Sequence, residues 1–289
     1  MRTVTSRSAA IALLVTSFFV LYWRVLAKLA SDWAHDDNYS HGFFIVPLAA
    51  YFVWERRRPL VALKPAPSWV GLPVMLGSVG VLLAGLLGAE LFLSRISMIG
   101  VVVGAVLYVL GWRFLARLAF PLAFLVLMIP IPQILFNQIA FPLQLLASSA
   151  GETVLRTLHI PVLREGNVII LANTSLEVAE ACSGIRSLVS LLTLGIVYGY
   201  FTDRRTTVRF LIAAATIPVA ILTNAVRVAG SGVAAHYYGP QAAEGFLHEF
   251  SGLMIFAVAL ILLFAITRMI QMVRPEPRLS TAAPASSGA

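Results

Sequence analysis

The only cysteine of the chain, Cys182, lies in the stretch Glu180-Ala-Cys-Ser-Gly-Ile-Arg-Ser187, and an apolar run begins at once with Leu188. A thiol is a nucleophile only as its thiolate, whose pKa of about 8.5 falls beside a cation or at a helix N-terminus. Cys182 has both expected sources, because a helix is predicted to begin there and Arg186 and Arg227 are candidate neighbours. Two further residues have the types that acyl transfer needs. Arg227, in Thr223-Asn-Ala-Val-Arg-Val228, can hold a developing oxyanion, a role worth most where water is shielded. His248, in Phe246-Leu-His-Glu-Phe250, can take the thiol proton and later protonate a leaving amine. Asn224 precedes Arg227 by three residues, so both share a helix face and can orient one substrate. Plainer readings stand beside these. A lone cysteine is often an inert small hydrophobe, and an arginine near a helix end often snorkels to the interface. Glu177 and Glu180 can orient His248 or Arg227, or simply be solvated residues leading into the helix.

His248 is one of five histidines, with His35, His41, His159 and His236. It is preferred because it opens a helix beside the two other candidates. His41, at the mouth of an earlier helix, is second, and the other three read as solvated loop residues. His35, Asp36, Asp37 and His41 have no spacing that marks a metal site, so neither a metal nor a cofactor is expected.

The elements that must carry these groups are membrane helices. The 289-residue chain is 59% hydrophobic and 12% charged, with a mean hydropathy of +0.88, against roughly 25% charged in soluble domains. Apolar stretches of about 20 residues, the length that crosses a bilayer core as helix, recur along it. The fold class is therefore an all-α polytopic membrane protein, with about eight spans expected near 9–23, 41–54, 69–88, 97–110, 114–131, 183–201, 208–229 and 250–270. Glu90 and Arg95 then fall between the third and fourth. The first run ends in Tyr22, Trp23 and Arg24, interface residues rather than the small ones of a cleavage site, so it is read as a retained helix.

Residues 133–181 read as an extracytoplasmic, interfacial insertion. Its first part mixes apolar residues with Gln133, Asn137, Gln138 and Gln144. Its second part carries a β-like hairpin signal around Glu165-Gly-Asn167. Residues 1–274 are taken as one transmembrane domain and 275–289, rich in Pro, Ser and Ala, as a disordered cytoplasmic tail. One cysteine makes no internal disulfide.

A net charge of +8 in such a chain answers first to topology, and no nucleic-acid partner is expected. With eight spans and a cytoplasmic N-terminus, 14 of the 21 basic residues fall in cytoplasmic segments, the bias that the positive-inside rule requires. Both termini are then cytoplasmic. Cys182, Arg227 and His248 arrive at the outer face on three consecutive helices. Consecutive antiparallel helices usually pack as neighbours about 8–10 Å apart, so the three groups can converge.

Cys182-Ser-Gly-Ile185, Asn224-Ala-Val-Arg227 and His248 at the start of the last helix resemble the three signatures of the exosortase/archaeosortase family. Tyr39-Ser-His-Gly-Phe-Phe-Ile-Val-Pro47 resembles its early segment. The likeness covers roughly residues 10–270. It implies a membrane cysteine protease or transpeptidase with Cys182 as nucleophile, Arg227 as oxyanion or thiolate stabiliser and His248 as acid and base. It also implies, as partners, secreted proteins whose C-termini carry a Pro-Glu-Pro-type signal, a transmembrane helix and a basic tail. The setting it implies is the cytoplasmic (inner) membrane of a bacterium, among membrane lipids, with processing at the outer face. The rival classes are a transporter or channel for a glycan or lipid, faintly supported by Pro- and Gly-interrupted helices, and a non-catalytic membrane scaffold.

Overall fold

The computed structural model describes residues 2–172, 174–178, 185–239 and 246–273. Inside its helices, side chains are described from Ala12, from Ser187 and from Gly252 onward. The described elements are α1 (Arg2–His35), α2 (Gly42–Glu55), α3 (Arg57–Val61), α4 (Gly71–Leu87), α5 (Leu91–Val109), α6 (Trp112–Phe124), a 3-10 turn (Leu125–Met128) and α7 (Gln133–Thr157). Three short strands follow, β1 (Val162–Glu165), β2 (Val168–Leu171) and β3 (Ser175–Glu177), and then α8 (Ile185–Thr202), α9 (Thr206–Tyr238) and α10 (Phe246–Val273).

Helices built from residues this apolar, with Val20, Leu83, Phe210, Leu222, Ile261 and Met269 exposed, are stable only where lipid replaces water around them. This is an integral membrane protein. Four described helical segments are long and apolar enough to cross: Ala12–His35, Leu91–Val109, Thr206–Tyr238 and Gly252–Val273. A fifth is added if Trp112–Met128 and Gln133–Thr157 cross as one broken span. Gly42–Glu55, Gly71–Leu87 and Ser187–Thr202 are apolar but shorter. At about 1.5 Å per residue they stop short of a 30 Å hydrocarbon core.

The chain folds as two compact units, Met1–Phe136 and Asn137–Ala289. In the first, α4 and α5 meet along small residues. A Cβ at Gly71 would enter the backbone of Gly104 and Tyr108, and one at Gly85 would meet Ser94. Such close backbone approach is the usual device for packing helices in lipid, where burial of apolar surface drives little. Polar contacts then fasten α1 to α5 and to the turn after α6. Arg95, 2% exposed, is ion-paired with Asp32, whose other carboxylate oxygen lies 2.7 Å from Lys28 Nζ. Tyr22 Oη and Ser97 Oγ are hydrogen-bonded at 3.0 Å, and Trp33 Nε1 donates to the Met128 carbonyl at 2.9 Å.

Arg95 therefore does not lie in a loop before the fourth helix, as its charge suggested. The helix starts at Leu91 because Glu90, in extended conformation, caps it by accepting the Phe92 N–H. Ser94 and Ser97 then bond back to the carbonyls of Glu90 and Ser94, so neither breaks the helix.

The second unit is organised on α9. Its buried face, including Val208, Ile212, Thr216, Val219, Ala220 and Thr223, recurs every three or four residues, the period of an apolar helix stripe. One half of that face packs with Leu191 of α8 and Ala259 and Leu263 of α10. Gly195 lies against Thr216 and Gly199 against Arg209, which fixes α8 antiparallel to α9. The turn between them is tied by Asp203, which accepts from the Arg205 backbone and guanidinium at 2.8 Å each. Arg209 bonds the carbonyls of Asp203 and Tyr200.

The other half of α9 carries a second core. Val228 and Ala235 are buried with Ala147 and Leu155 of α7, with Ile169 and Leu171 of β2, and with Val178. The strands form one antiparallel sheet in the order β1-β2-β3. It is tied to α7 by Ser148 Oγ, which donates to the Gly166 carbonyl at 3.0 Å, and by the Arg164–Glu152 ion pair at 2.9 Å. One sequence boundary moves here. α9 runs to Tyr238 instead of stopping near residue 229, so His236 belongs to a helix and not to a solvated loop. Arg227 consequently sits 11 residues inside the helix rather than at its end.

Candidate active site

Arg227 is the described candidate about which the most can be measured. It is half-buried on α9, between Val226, 55% exposed, and Val228, 5% exposed. Asn224, one turn earlier, is 5% exposed, and Thr223 beside it donates to the Val219 carbonyl at 2.8 Å. The Arg227 guanidinium lies on α10 at Gly252. A Cβ built at that glycine would stand 3.3 Å from Arg227 Nη2 and 3.5 Å from Cζ. Gly252 is thus the place on α10 where the planar cation rests against bare backbone.

The remaining candidates can be located by the elements that flank them. His248 is in the first turn of α10, four residues before Gly252. Positions four apart share one face of a helix, about one turn from each other. The side chain of His248 lies outside the described residues, as does that of Arg186, whose backbone is in the first turn of α8. Cys182 and Glu180 also lie outside them, but both borders of their segment are described. On one side Val178, 2% exposed, is held in the same core as Val228, and its N–H donates to the Asn167 carbonyl at 2.9 Å. On the other, α8 begins at Ile185. The antiparallel register set by Gly195 with Thr216 and Ala213, and by Gly199 with Arg209, would, carried on unchanged, bring Ile185 level with about residue 224 of α9. The described border at Val178 thus shares its core with Val228, the residue after Arg227.

His41 belongs to the first unit. It stands at the N-cap of α2, and its Nε2 donates to the Leu127 carbonyl at 3.2 Å. Nearby, His35 Nδ1 lies 2.8 Å from the Ser31 carbonyl, and Asp36 accepts from the Asn38 N–H at 2.9 Å. His159, at the end of α7, is exposed.

Two features here escape sequence reasoning. Gly252 has a signal that can be read afterwards: a small residue one helical turn beyond the candidate histidine. The burial of Arg95 with Asp32 has none, because the two are 63 residues apart and neither stands in a motif.

No curated protein and no solved structure matches the chain. The model of the family described as transmembrane exosortase (Exosortase_EpsH) does match, over residues 33–265, which takes in α2 to α9 and most of α10, and the chain belongs to that family.

Proposed function

We propose that this exosortase is a membrane-embedded cysteine peptidase or transpeptidase, with Cys182 as nucleophile, Arg227 as the cation that steadies thiolate and oxyanion, and His248 as acid and base. The observation that carries the proposal is the position of Arg227. Its guanidinium rests on Gly252, one helical turn from His248. The next residue, Val228, shares a core with Val178, four residues before Cys182. Two stretches far apart in sequence are thereby tied to one part of α9.

In this mechanism His248 takes the thiol proton, and the Cys182 thiolate adds to the scissile carbonyl carbon. The carbonyl oxygen gains a full negative charge, which a fork of guanidinium donors can hold in a site shielded from water. The C–N bond then breaks as the His248 imidazolium gives its proton to the leaving amine, and a thioester remains. Water or an amine acceptor attacks the thioester, His248 receives its proton, and the sulfur departs. Asn224, Glu180 and Arg186 are assigned supporting places around the reacting groups. His41 is assigned a supporting, substrate-orienting place with them.

The proposed substrates are secreted proteins with a C-terminal Pro-Glu-Pro-type signal followed by a transmembrane helix, cleaved at the outer face of a bacterial cytoplasmic membrane. Both termini are then cytoplasmic, which requires the three shorter apolar helices and the broken pair to cross as well, giving eight spans. The Asp32–Arg95 pair is the kind of intramembrane charge that a transport pathway uses. Its two charges neutralise each other between α1 and α5, however, and it reads as a clasp.

The test is co-expression with a secreted protein that carries such a signal. The chain should remove the C-terminal helix, and Cys182→Ala, at equal membrane level, should leave it attached. Full processing by Cys182→Ala would end the proposal.

A further inference from the structure

The outer strand of the sheet before α8 ends five residues before Cys182 in sequence, and we infer that β3 is the strand on which the substrate's extended peptide docks. The inference rests on the protease reading above and names how that site takes its substrate.

The hydrogen-bond alternation of an antiparallel pair decides which backbone groups of β3 are used. β2 and β3 pair Ile169 with Leu176 and Val168 with Glu177. The Leu171 N–H donates to the Thr174 carbonyl at 2.8 Å, and the Val178 N–H to the Asn167 carbonyl at 2.9 Å. Positions 174, 176 and 178 therefore turn their backbone groups toward β2. Ser175 and Glu177 turn theirs the other way, to the edge that the order β1-β2-β3 leaves outermost. Both residues are exposed, whereas Leu176 between them packs against the core shared with Val228.

Two N–H and two C=O groups are thus presented in a row, at the two-residue spacing of an extended chain. A protease must hold its scissile segment extended so that the carbonyl stands clear of its own side chains. Strand addition supplies main-chain hydrogen bonds for that purpose and leaves the alternate side chains to set specificity. Glu177 lies five residues before Cys182, so a peptide paired with β3 is held on the element next in sequence to the proposed nucleophile. The opposite edge, β1, follows α7 in the chain and is separated from β3 by β2.

Proline at an outward position removes the outward N–H and leaves the β2–β3 bonds in place. Glu177→Pro and Ser175→Pro should therefore each raise KM for a signal-bearing substrate about tenfold, the loss expected for one hydrogen bond, with kcat changed little. Glu165→Gln, on the opposite edge of the sheet, should process normally. A photo-crosslinking residue at 175 or 177, in a Cys182→Ala background, should capture the co-expressed substrate, and one at Glu165 on the other edge should not. This arm does not depend on the proline variants folding. Equal capture from 165 and 177, or no capture from 175 and 177, overturns the docking inference. If the docking variants behave as wild type while Cys182→Ala is inactive, the docking inference alone fails. If Cys182→Ala itself processes substrate, the protease reading fails with it.

Discussion

Replacing Gly252 by alanine separates the chemistry at Arg227 from the stability of the helix that faces it. The new Cβ would stand 3.3 Å from Arg227 Nη2, inside ordinary van der Waals contact, so the guanidinium must shift by a few tenths of an ångström. If Arg227 holds the oxyanion, its full loss costs about 10²- to 10³-fold in kcat, and a 1 Å misplacement about 10²-fold. A shift of about half an ångström should then cost roughly tenfold. Gly252→Val, which fills the space occupied by the cation, should approach the cost of Arg227→Ala. The effect on stability has the opposite sign, because alanine inside a helix is favoured over glycine by about 1 kcal/mol. A slower yet slightly more stable enzyme is an outcome that general damage does not produce. Gly230 supplies the control, since it lies exposed on α9 with nothing within 4 Å of its would-be Cβ, and Gly230→Ala should leave turnover unchanged. The assay is the initial rate of substrate truncation by purified protein in lipid nanodiscs, with a thermal melt of each variant. Wild-type rates for both Gly252→Ala and Gly252→Val would refute the reasoning.

Two other outcomes follow from the measured contacts. Asp32→Asn should destabilise the protein by about 3–5 kcal/mol, because it leaves the Arg95 side chain, 3% exposed, as an uncompensated buried charge. Replacing both partners by apolar residues should recover most of that loss, while Lys28→Ala, at a side chain 55% exposed, should cost under about 1 kcal/mol. Additive single-mutant losses in a thermal double-mutant cycle would contradict this. In the α8–α9 turn, hydrogen bonding from Arg205 holds the Asp203 carboxyl below its usual range despite burial. A depressed carboxyl contributes stability in full above its unfolded value of about 3.9 and loses it as pH falls through the folded value. Asp203→Asn should therefore melt lower than wild type at pH 7, and the gap should close toward pH 3. A gap that stays constant across that range would show that the charge is not what stabilises the turn.

What could be read in the sequence depended on how local the cause is. Membrane class, the order of the apolar helices and the family follow from composition and from short motifs such as Asn224-Ala-Val-Arg227, and the family match agrees. The neighbour relations of α8, α9 and α10 also follow, since consecutive antiparallel helices have few other places to pack. Helix ends were harder. Charge and polarity suggested that α5 begins after Arg95 and that α9 stops near residue 229. In fact a cap at Glu90 starts α5 earlier, and packing on Leu155 and Ile169 carries α9 onward. Partners distant in sequence were not legible. Nothing in Asp32 announces Arg95, and nothing in Arg227 announces that its guanidinium would rest on Gly252. Both depend on the depth at which helices cross, which a hydrophobic period does not encode.

Because Cys182 is the sole thiol, its alkylation reports on the candidate site without ambiguity. The most direct measurement is the rate of labelling by a small, membrane-impermeant iodoacetamide as a function of pH, in wild type, Arg227→Ala and His248→Ala. The expected result is a wild-type titration well below the ordinary thiol value of about 8.5, displaced upward in both variants. A single profile near 8.5 shared by all three proteins would mean that sulfur, guanidinium and imidazole do not act on one another.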